Sequence, residues 1–409
     1  MNLPFSVFSI RILSFAVALV SVSFFAARLT RYASRPTFGF ETYYTSAALL
    51  SLDIPAEVLY DNSEFIRERV QKTGVDSREP FAPNSPAAAI LFIPLTFLPL
   101  PVAKVVWEFL SLGFLLAIFM TIKKVESIDS IESTALIAFA FVFTPLYMNF
   151  VYGQMYALLL LLLSCMYWAW HSKRDLLTAF FLASLLLLKG FGVFLVLLLI
   201  FRKEWKVLGS TFGMVLAGVA VSAAFVGIGV WSSYGASIWE TLSHVGMSPG
   251  IQQNLAGLVG RVTGIEGGAP AALSAGLIAG SAGILFWSNR RPGSGDIRVP
   301  FGIAVILGLL CSPIIADYHY MLLLLPVFFL YDQLRHGFSK AQLSVFAVAL
   351  FFVATRLPLT SGARGTLANL LAFPRVYGSL LLLILFLIPL LSDSKRQSVP
   401  FSTARNEKP

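Results

Sequence analysis

Long apolar runs, separated by short polar loops, recur from one end of the chain to the other. A bilayer core about 30 Å thick requires roughly 20 apolar residues per helix, so these runs predict membrane spans. Continuous Leu, Phe, Ala and Val without strict alternation favours helices over a barrel. The predicted spans are 9–29, 102–122, 133–150, 154–170, two short helices within 175–201, 207–230, 271–288, 299–314, 319–333, 341–357 and 375–392.

The composition supports this interpretation. Of the 409 residues, 57% are hydrophobic and only 12% are charged, which is too little charge to cover a soluble domain. We therefore predict an all-α, polytopic integral membrane protein with about 12 transmembrane helices. A single transmembrane domain is expected over 1–395, followed by a disordered cytoplasmic tail at 396–409.

The net charge of +9 reports topology rather than nucleic-acid binding, since the Lys and Arg residues lie in short loops between apolar runs. Placing these basic loops inside predicts a plasma-membrane protein with cytoplasmic N and C termini. The segment 84–100 is apolar but interrupted by prolines. Counting it as a span would move the later basic loops outside, so we interpret it as a helix that dips into the membrane or lies on its external surface.

Three regions are then external and long enough to hold a site: about 30–101, 231–270 and 358–374. The first is the largest polar stretch of the protein. The termini and cytoplasmic loops look like connecting segments only, so the functional site is expected on the external face.

Ionisable groups at membrane depth are costly and mark functional sites. Lys189 falls between the two half-helices of 175–201, where its amine could hold a phosphate; a lysine extending to the lipid headgroups is the alternative. Gln154, after Gly153, occupies a hairpin and could bind a sugar hydroxyl, although a plain polar turn fits nearly as well. Asp317 and His319 end another helix and suggest an acid/base or phosphate-contacting pair.

The second external region contains Gln253, Asn254 and Arg261, and the arginine could grip a phosphate with its guanidinium. Glu41 follows the first span and is flanked by Tyr43 and Tyr44. A partly desolvated carboxylate there would be a stronger base for a lipid-borne substrate. The alternative is a solvated glutamate beside an interfacial tyrosine belt.

Several sequence motifs are missing. There is no Walker A loop, dinucleotide-binding glycine turn, HExxH or paired CxxC. Cys165 and Cys311 lie far apart and form no metal motif. We therefore expect neither a cofactor nor a bound metal, and ATP-driven transport and zinc proteolysis are disfavoured.

The order of these features resembles the polytopic glycosyltransferases of the C fold, in particular glycosyltransferase family 87. The similarity covers about residues 10–335 and rests on the order of the motifs, none of which is specific alone. The matching features are Phe40, Tyr43, Tyr44, Ala47 and Ala48; Leu59-Tyr60-Asp61; the proline-rich stretch from Pro83 to Trp107; Gly153-Gln154; Lys189; the basic loop from Arg202 to Trp205; Gln252-Gln253-Asn254-Leu255 with Arg261; and Ser312-Pro313 with His319.

The sequence departs from the family at one important position. The family's first-loop aspartate, its expected base, falls on Gly39, which cannot accept a proton. Glu41 could substitute, and Asp61 or Asp53 could fold back into the site; loss of activity or use of another base also stays open.

The resemblance implies a C-fold hexosyltransferase, mannosyltransferase-like, that moves sugar with inversion from a polyprenyl phosphate to a lipid or glycan acceptor on the external face. Glu41 and Asp61 are the expected catalytic carboxylates, and Lys189, Arg261 and His319 the expected donor-phosphate ligands. The substrate is expected to contact Tyr43, Tyr44, Gln154, Gln253, Asn254 and Asp317. A flippase for a lipid-linked sugar is the alternative class. An O-antigen polymerase or ligase is the third, although its large loop would come late in the chain.

Overall fold

The computed structural model describes residues 7–35, 37–52, 55–74, 79–126, 130–243, 252–263, 269–291, 295–335, 338–355 and 371–391. All regular elements in these ranges are helices, which confirms the predicted all-α class. The α-helices of the first half are α1 (Val7–Leu29), α2 (Phe38–Leu50), α3 (Asn62–Thr73), α4 (Pro86–Phe92), α5 (Leu100–Glu126), α6 (Ser130–Val142), α7 (Thr144–Tyr152), α8 (Tyr156–His171), α9 (Asp175–Lys189) and α10 (Val193–Phe201).

The second half continues with helices of similar composition, and three short 3₁₀ segments interrupt the chain. The remaining α-helices are α11 (Trp205–Val226), α12 (Ile228–Ser243), α13 (Leu255–Thr263), α14 (Ala269–Asn289), α15 (Arg298–Leu310), α16 (Leu324–Arg335), α17 (Lys340–Ala354) and α18 (Pro374–Leu391), and the 3₁₀ segments are η1 (Ala56–Tyr60), η2 (Ile93–Phe97) and η3 (Asp317–Leu323).

Five helices in the described ranges are long and apolar enough to cross a membrane: α1, α5, α11, α14 and α18. Large apolar side chains on their outer faces are exposed, as expected for surfaces that meet lipid tails. The higher number of spans predicted from the sequence includes shorter apolar helices such as α8, α15 and α17.

The predicted span 133–150 is broken in the structure. Helices α6 and α7 meet at Phe143 with a bend of 56°. Phe143 has an extended backbone, and Pro145 lies in the first turn of α7. Because proline has no N–H to donate within a helix and its fixed φ suits the first helical turn, the sequence ends one helix and begins another here. The break directs α7 toward η3, against which it packs.

The other predicted break is found where the sequence placed it. Helix α9 ends at Lys189, and α10 begins at Val193. Gly190 and Gly192 lie between them with φ angles of 62° and 123°, a region that glycine adopts without steric cost. Lys189 therefore lies at a helix end rather than inside a helix.

The protein core is centred on α15 and α16, whose residues are almost all buried. Helix α15 packs against α10, α14, α16 and α18. A Cβ atom at Gly302 would lie 2.5 Å from the Phe386 ring, so the absence of a side chain allows α15 and α18 to approach closely.

The proline-rich segment 84–100 is not a continuous helix. It contains α4, the short η2 and the start of α5, and α4 packs against α2 and α9. Asp53 lies outside the described residues, as do the tail 396–409 and most of the predicted external region 358–374.

Candidate functional site

Lys189 lies among polar and aromatic groups from three other parts of the chain. Its Nζ donates to Oδ1 of Asn84 and lies 5.2 Å from the ring centroid of Tyr43 and 5.6 Å from that of Tyr156. Two aromatic faces and one amide oxygen are weak partners for an amine, and Glu79 is a carboxylate that interacts with it electrostatically. The amine retains the capacity to bind an anion strongly, which is the property that a phosphate site requires.

The loop 79–85 brings Asn84 to this lysine. Ser85 caps α4 by accepting from the N–H of Ala88 at 3.3 Å, with Pro86 next in the chain, a combination that begins helices. The same hydroxyl donates to the Leu187 carbonyl near the end of α9. Asn84 also accepts from the Tyr60 hydroxyl through its backbone carbonyl, at 2.8 Å. The loop is therefore attached to α9 beside Lys189.

Tyr43 joins α2 to the α7–α8 turn. Its hydroxyl donates to Oε1 of Gln154 at 2.7 Å, and both residues are buried. Gly153 forms the turn with φ 59°, and a Cβ on it would lie 2.6 Å from Cβ of Phe40. The turn therefore requires glycine for its conformation and for the space. Tyr43 and Gln154, both predicted as substrate-contacting residues, bind each other, and Tyr43 lies beside Lys189. The other tyrosine, Tyr44, instead donates to the Leu98 carbonyl at 2.8 Å.

His319 lies beside Tyr156, which also contacts Lys189. Its ring stacks on Tyr318, with centroids 4.7 Å apart, and lies 4.4 Å from the centroid of Tyr156. The N–H of Ala316 donates to Nδ1 at 3.0 Å. Because Nδ1 accepts, the neutral ring carries its proton on Nε2, and that nitrogen is a hydrogen-bond donor. His319 and Lys189, predicted together as phosphate ligands, also interact electrostatically.

Glu41 lies in α2, outside the spanning helices, and is completely buried. Neither carboxylate oxygen has a hydrogen-bond partner among the described residues. Desolvation raises the pKa of Glu41 to about 7, although the charges of Arg69 and Lys104 act to lower it. A pKa near neutrality suits a general base. However, position 41 is two residues from Tyr43 in the helix, which directs it away from the Tyr43–Gln154 face.

Asp61 caps the N-terminus of α3. Its Oδ1 accepts from the backbone N–H groups of Ser63 and Glu64, each at 3.0 Å, and so caps α3. The residue is exposed. Its predicted catalytic role stays a prediction, and the cap accounts for its presence by itself.

A carboxylate not singled out from the sequence, Glu79, lies at the start of the same loop. Nη1 of the fully buried Arg69 donates to its backbone carbonyl at 2.5 Å. Desolvation by the surrounding protein raises the pKa of Glu79, whereas the charges of Arg69 and Lys189 lower it. In the sequence, Glu79 follows a charged stretch that resembles a solvated loop. No local pattern therefore indicates that it lies near Lys189.

Asn254 stabilises the segment that leads into η3, and Gln253 binds the chain just before α18, whose Arg375 pairs with Asp317 of η3. Nε2 of Gln253 donates to the Ala372 carbonyl at 2.7 Å, and Nδ2 of Asn254 donates to the Ser312 carbonyl at 2.6 Å. Both side chains are buried. The structure thus brings them to the chain that positions His319, although neither of these contacts is with the Lys189 cluster.

Asp317 and Arg261 are placed differently from the Lys189 cluster. Oδ1 of Asp317 lies 3.1 Å from Nη1 of the buried Arg375 at the start of α18, so the aspartate anchors η3. Arg261 is exposed on α13. Among the described residues no group of three His, Cys, Asp or Glu side chains is arranged to hold a metal ion.

The sequence also matches a known protein family. The family model of glycosyltransferase family 87 matches residues 82–313, a range that includes Asn84, Gln154 and Lys189. The chain therefore belongs to glycosyltransferase family 87 and is a membrane glycosyltransferase, as the sequence motifs suggested. Neither curated proteins nor solved structures give a significant match. Membership of this glycosyltransferase family favours the transferase over the flippase and the O-antigen polymerase or ligase.

Proposed function

We propose that this glycosyltransferase transfers a hexose, with mannose as the first choice, from a polyprenyl-phosphate donor to a lipid or glycan acceptor. Transfer would take place with inversion on the external face of the plasma membrane, within a single C-fold domain of about 12 spans over 1–395. Both termini would be cytoplasmic. The observation that supports the proposal is the position of Lys189, whose amine lies at a helix break, binds Asn84, faces two aromatic rings and interacts electrostatically with Glu79.

The donor phosphate would bind Lys189 and Nε2–H of His319. These groups lie on α9 and η3, with Tyr156 between them. Negative charge grows on the phosphate as the glycosidic bond breaks, and preorganised donors stabilise that charge more strongly in the transition state. Arg261 is proposed as a further phosphate ligand that reaches the lipid phosphate from α13.

The sugar and the acceptor would lie on the other side of this phosphate. Tyr43 and Gln154 present a hydroxyl and an amide beside Lys189, groups that bind sugar hydroxyls. Tyr44, Gln253, Asn254 and Asp317 are proposed to shape the surrounding walls. A carboxylate must take the acceptor's proton, and Glu41 and Asp61 are the two that the sequence proposes. Of these, Glu41 has the raised pKa and the two oxygens without a partner.

The test is transfer of radiolabelled sugar by the purified full-length protein. Polyprenyl-phosphate mannose and polyprenyl-phosphate glucose are offered separately with extracted membrane lipids, and the anomeric configuration of the product is determined by NMR. We expect label to move from one donor with inverted configuration. Retained configuration would contradict the mechanism, and transfer from a nucleotide sugar but from neither lipid donor would contradict the donor class.

A further inference from the structure

Two contacts hold the backbone at Glu79 and just after it in place. Arg69 binds its carbonyl from α3. Two residues further on, Phe81 is fully buried and packs between Tyr60 and Phe65, with ring centroids 5.7 and 5.9 Å away. The carboxylate is therefore presented from a fixed position.

The carboxylate of Glu79 lies within electrostatic reach of several groups proposed to bind the donor. The residue is exposed, whereas Glu41 has no exposed surface. Its carboxylate interacts electrostatically with Lys189 of α9, with Tyr318 of η3 and with Tyr43 of α2. The other charged groups that face it are Arg69 of α3 and Glu41 of α2.

The geometry of an inverting transfer distinguishes Glu79 from Glu41 as the possible base. The attacking oxygen and the leaving phosphate lie on opposite faces of the anomeric carbon, so the base must be one sugar ring away from the phosphate-binding cation and accessible to the acceptor. The electrostatic interactions of Glu41 are with Arg69, Lys104 and Glu79 and do not include Lys189. Of Glu41 and Glu79, only Glu79 is both exposed to an acceptor and close enough to interact electrostatically with Lys189.

On the basis of the proposed function, we propose that Glu79 is the catalytic base that takes the proton of the acceptor hydroxyl. As that O–H bond breaks, the acceptor oxygen bonds to the anomeric carbon. The bond from this carbon to the phosphate oxygen breaks, and its electron pair leaves with the phosphate held by Lys189. Glu41 interacts electrostatically with Glu79 and acts as a positioning residue for it.

The environment of Glu79 suits this role. Desolvation raises the pKa of Glu79, which strengthens the carboxylate as a base, and the charges of Arg69 and Lys189 limit the rise. The transfer rate should therefore increase as pH rises through the pKa of Glu79.

The experiment compares Glu79→Gln, Glu79→Asp and Glu41→Gln with a control, Glu64→Gln. Glu64 is a glutamate of α3 whose side chain is 39% exposed and paired with Arg67. Full-length protein in nanodiscs is assayed for transfer rate and, by equilibrium binding, for affinity toward the radiolabelled polyprenyl-phosphate sugar, and thermal unfolding verifies the fold.

We expect Glu79→Gln to lower the transfer rate about 10²- to 10⁴-fold, the usual contribution of a general base, with donor affinity kept. Glu79→Asp should retain part of the rate and shift the acidic limb of the pH profile, and Glu64→Gln should match the wild type. A folded Glu79→Gln protein that transfers normally, or that loses donor affinity in parallel with rate, overturns the assignment. A wild type that transfers from no lipid donor overturns the proposed function itself.

Discussion

Gly39 packs so closely against Gln154 that a Cβ atom on the glycine would lie 2.6 Å from Nε2 of the amide. The resemblance to the family places its aspartate at this position. In this protein the volume that an aspartate side chain would require is filled by the amide, whose carbonyl oxygen binds Tyr43. An aspartate at position 39 would therefore clash with the α7–α8 turn as it packs in this protein.

Enlarging Gly39 should therefore destabilise the protein. We expect Gly39→Ala to lower the free energy of unfolding by about 1–3 kcal/mol, the usual cost of overpacking. The control is Gly113→Ala in α5, where no atom lies within 4 Å of the added Cβ; helix propensity should make it neutral or stabilising. Thermal unfolding in detergent measures both, and equal effects would contradict the close packing.

Removing the amine of Lys189 should weaken donor binding. We expect Lys189→Met to lower affinity for the polyprenyl-phosphate donor about 10- to 100-fold, because hydrogen bonds to charged groups contribute about 1.5–3 kcal/mol. Lys206→Met is the control, since its side chain is 87% exposed and pairs loosely with Asp175 at 3.8 Å. Unchanged donor affinity in Lys189→Met would contradict the phosphate site.

Glu41 should make the stability of the protein depend on pH. Its pKa is about 7 in the folded protein against an ordinary value of 4.5, so the folded state binds the proton more tightly. The resulting stabilisation is fully present below about pH 4.5 and is lost as pH rises through 7. Glu41→Gln should therefore be more stable than the wild type at pH 8, by up to about 3 kcal/mol. The advantage should shrink toward pH 5; thermal unfolding that shows no such trend would place the carboxylate in a solvated environment.

The ion pair between Asp317 and Arg375 should stabilise the segment that carries His319. Arg375 is almost completely buried, and breaking a buried pair from one side costs about 3–5 kcal/mol. We expect Arg375→Met to lose stability on this scale and Arg375→Met/Asp317→Leu to recover part of it. Arg67→Met, which breaks a surface pair with Glu64, should cost less than about 1 kcal/mol. If the double variant were as unstable as Arg375→Met, the charge of Asp317 would not be the group that Arg375 compensates.

Two substitutions of Asp61 separate its cap from its charge. Asp61→Ala removes the acceptor for the N–H groups of Ser63 and Glu64 and should cost about 1 kcal/mol. Asp61→Asn keeps an efficient cap and should unfold like the wild type, so its transfer rate reports on catalysis alone. An asparagine variant as unstable as the alanine variant would contradict the capping role.

The sequence by itself determined the features that depend on neighbouring residues. The apolar runs predicted an all-helical membrane protein, since length and hydrophobicity suffice for that inference. The sequence also predicted a break at Lys189 between two short helices, and the glycines found there adopt the backbone conformation that the break requires. Lys189, Tyr43, Gln154 and His319 were also identified from the sequence, since polar groups among apolar runs are conspicuous.

Only the tertiary structure decided what each polar group contacts. Asn84 and Lys189 are 105 positions apart, and Tyr43 and Gln154 are 111 apart, so no local pattern specifies these pairs. The same holds for the carboxylates: burial of Glu41 beneath α3 and α5, and presentation of Glu79 beside Lys189, depend on how the helices pack. Solvation and electrostatic interactions are properties of the folded surroundings, and for this reason the sequence could name the chemistry of the site more readily than the residue that performs it.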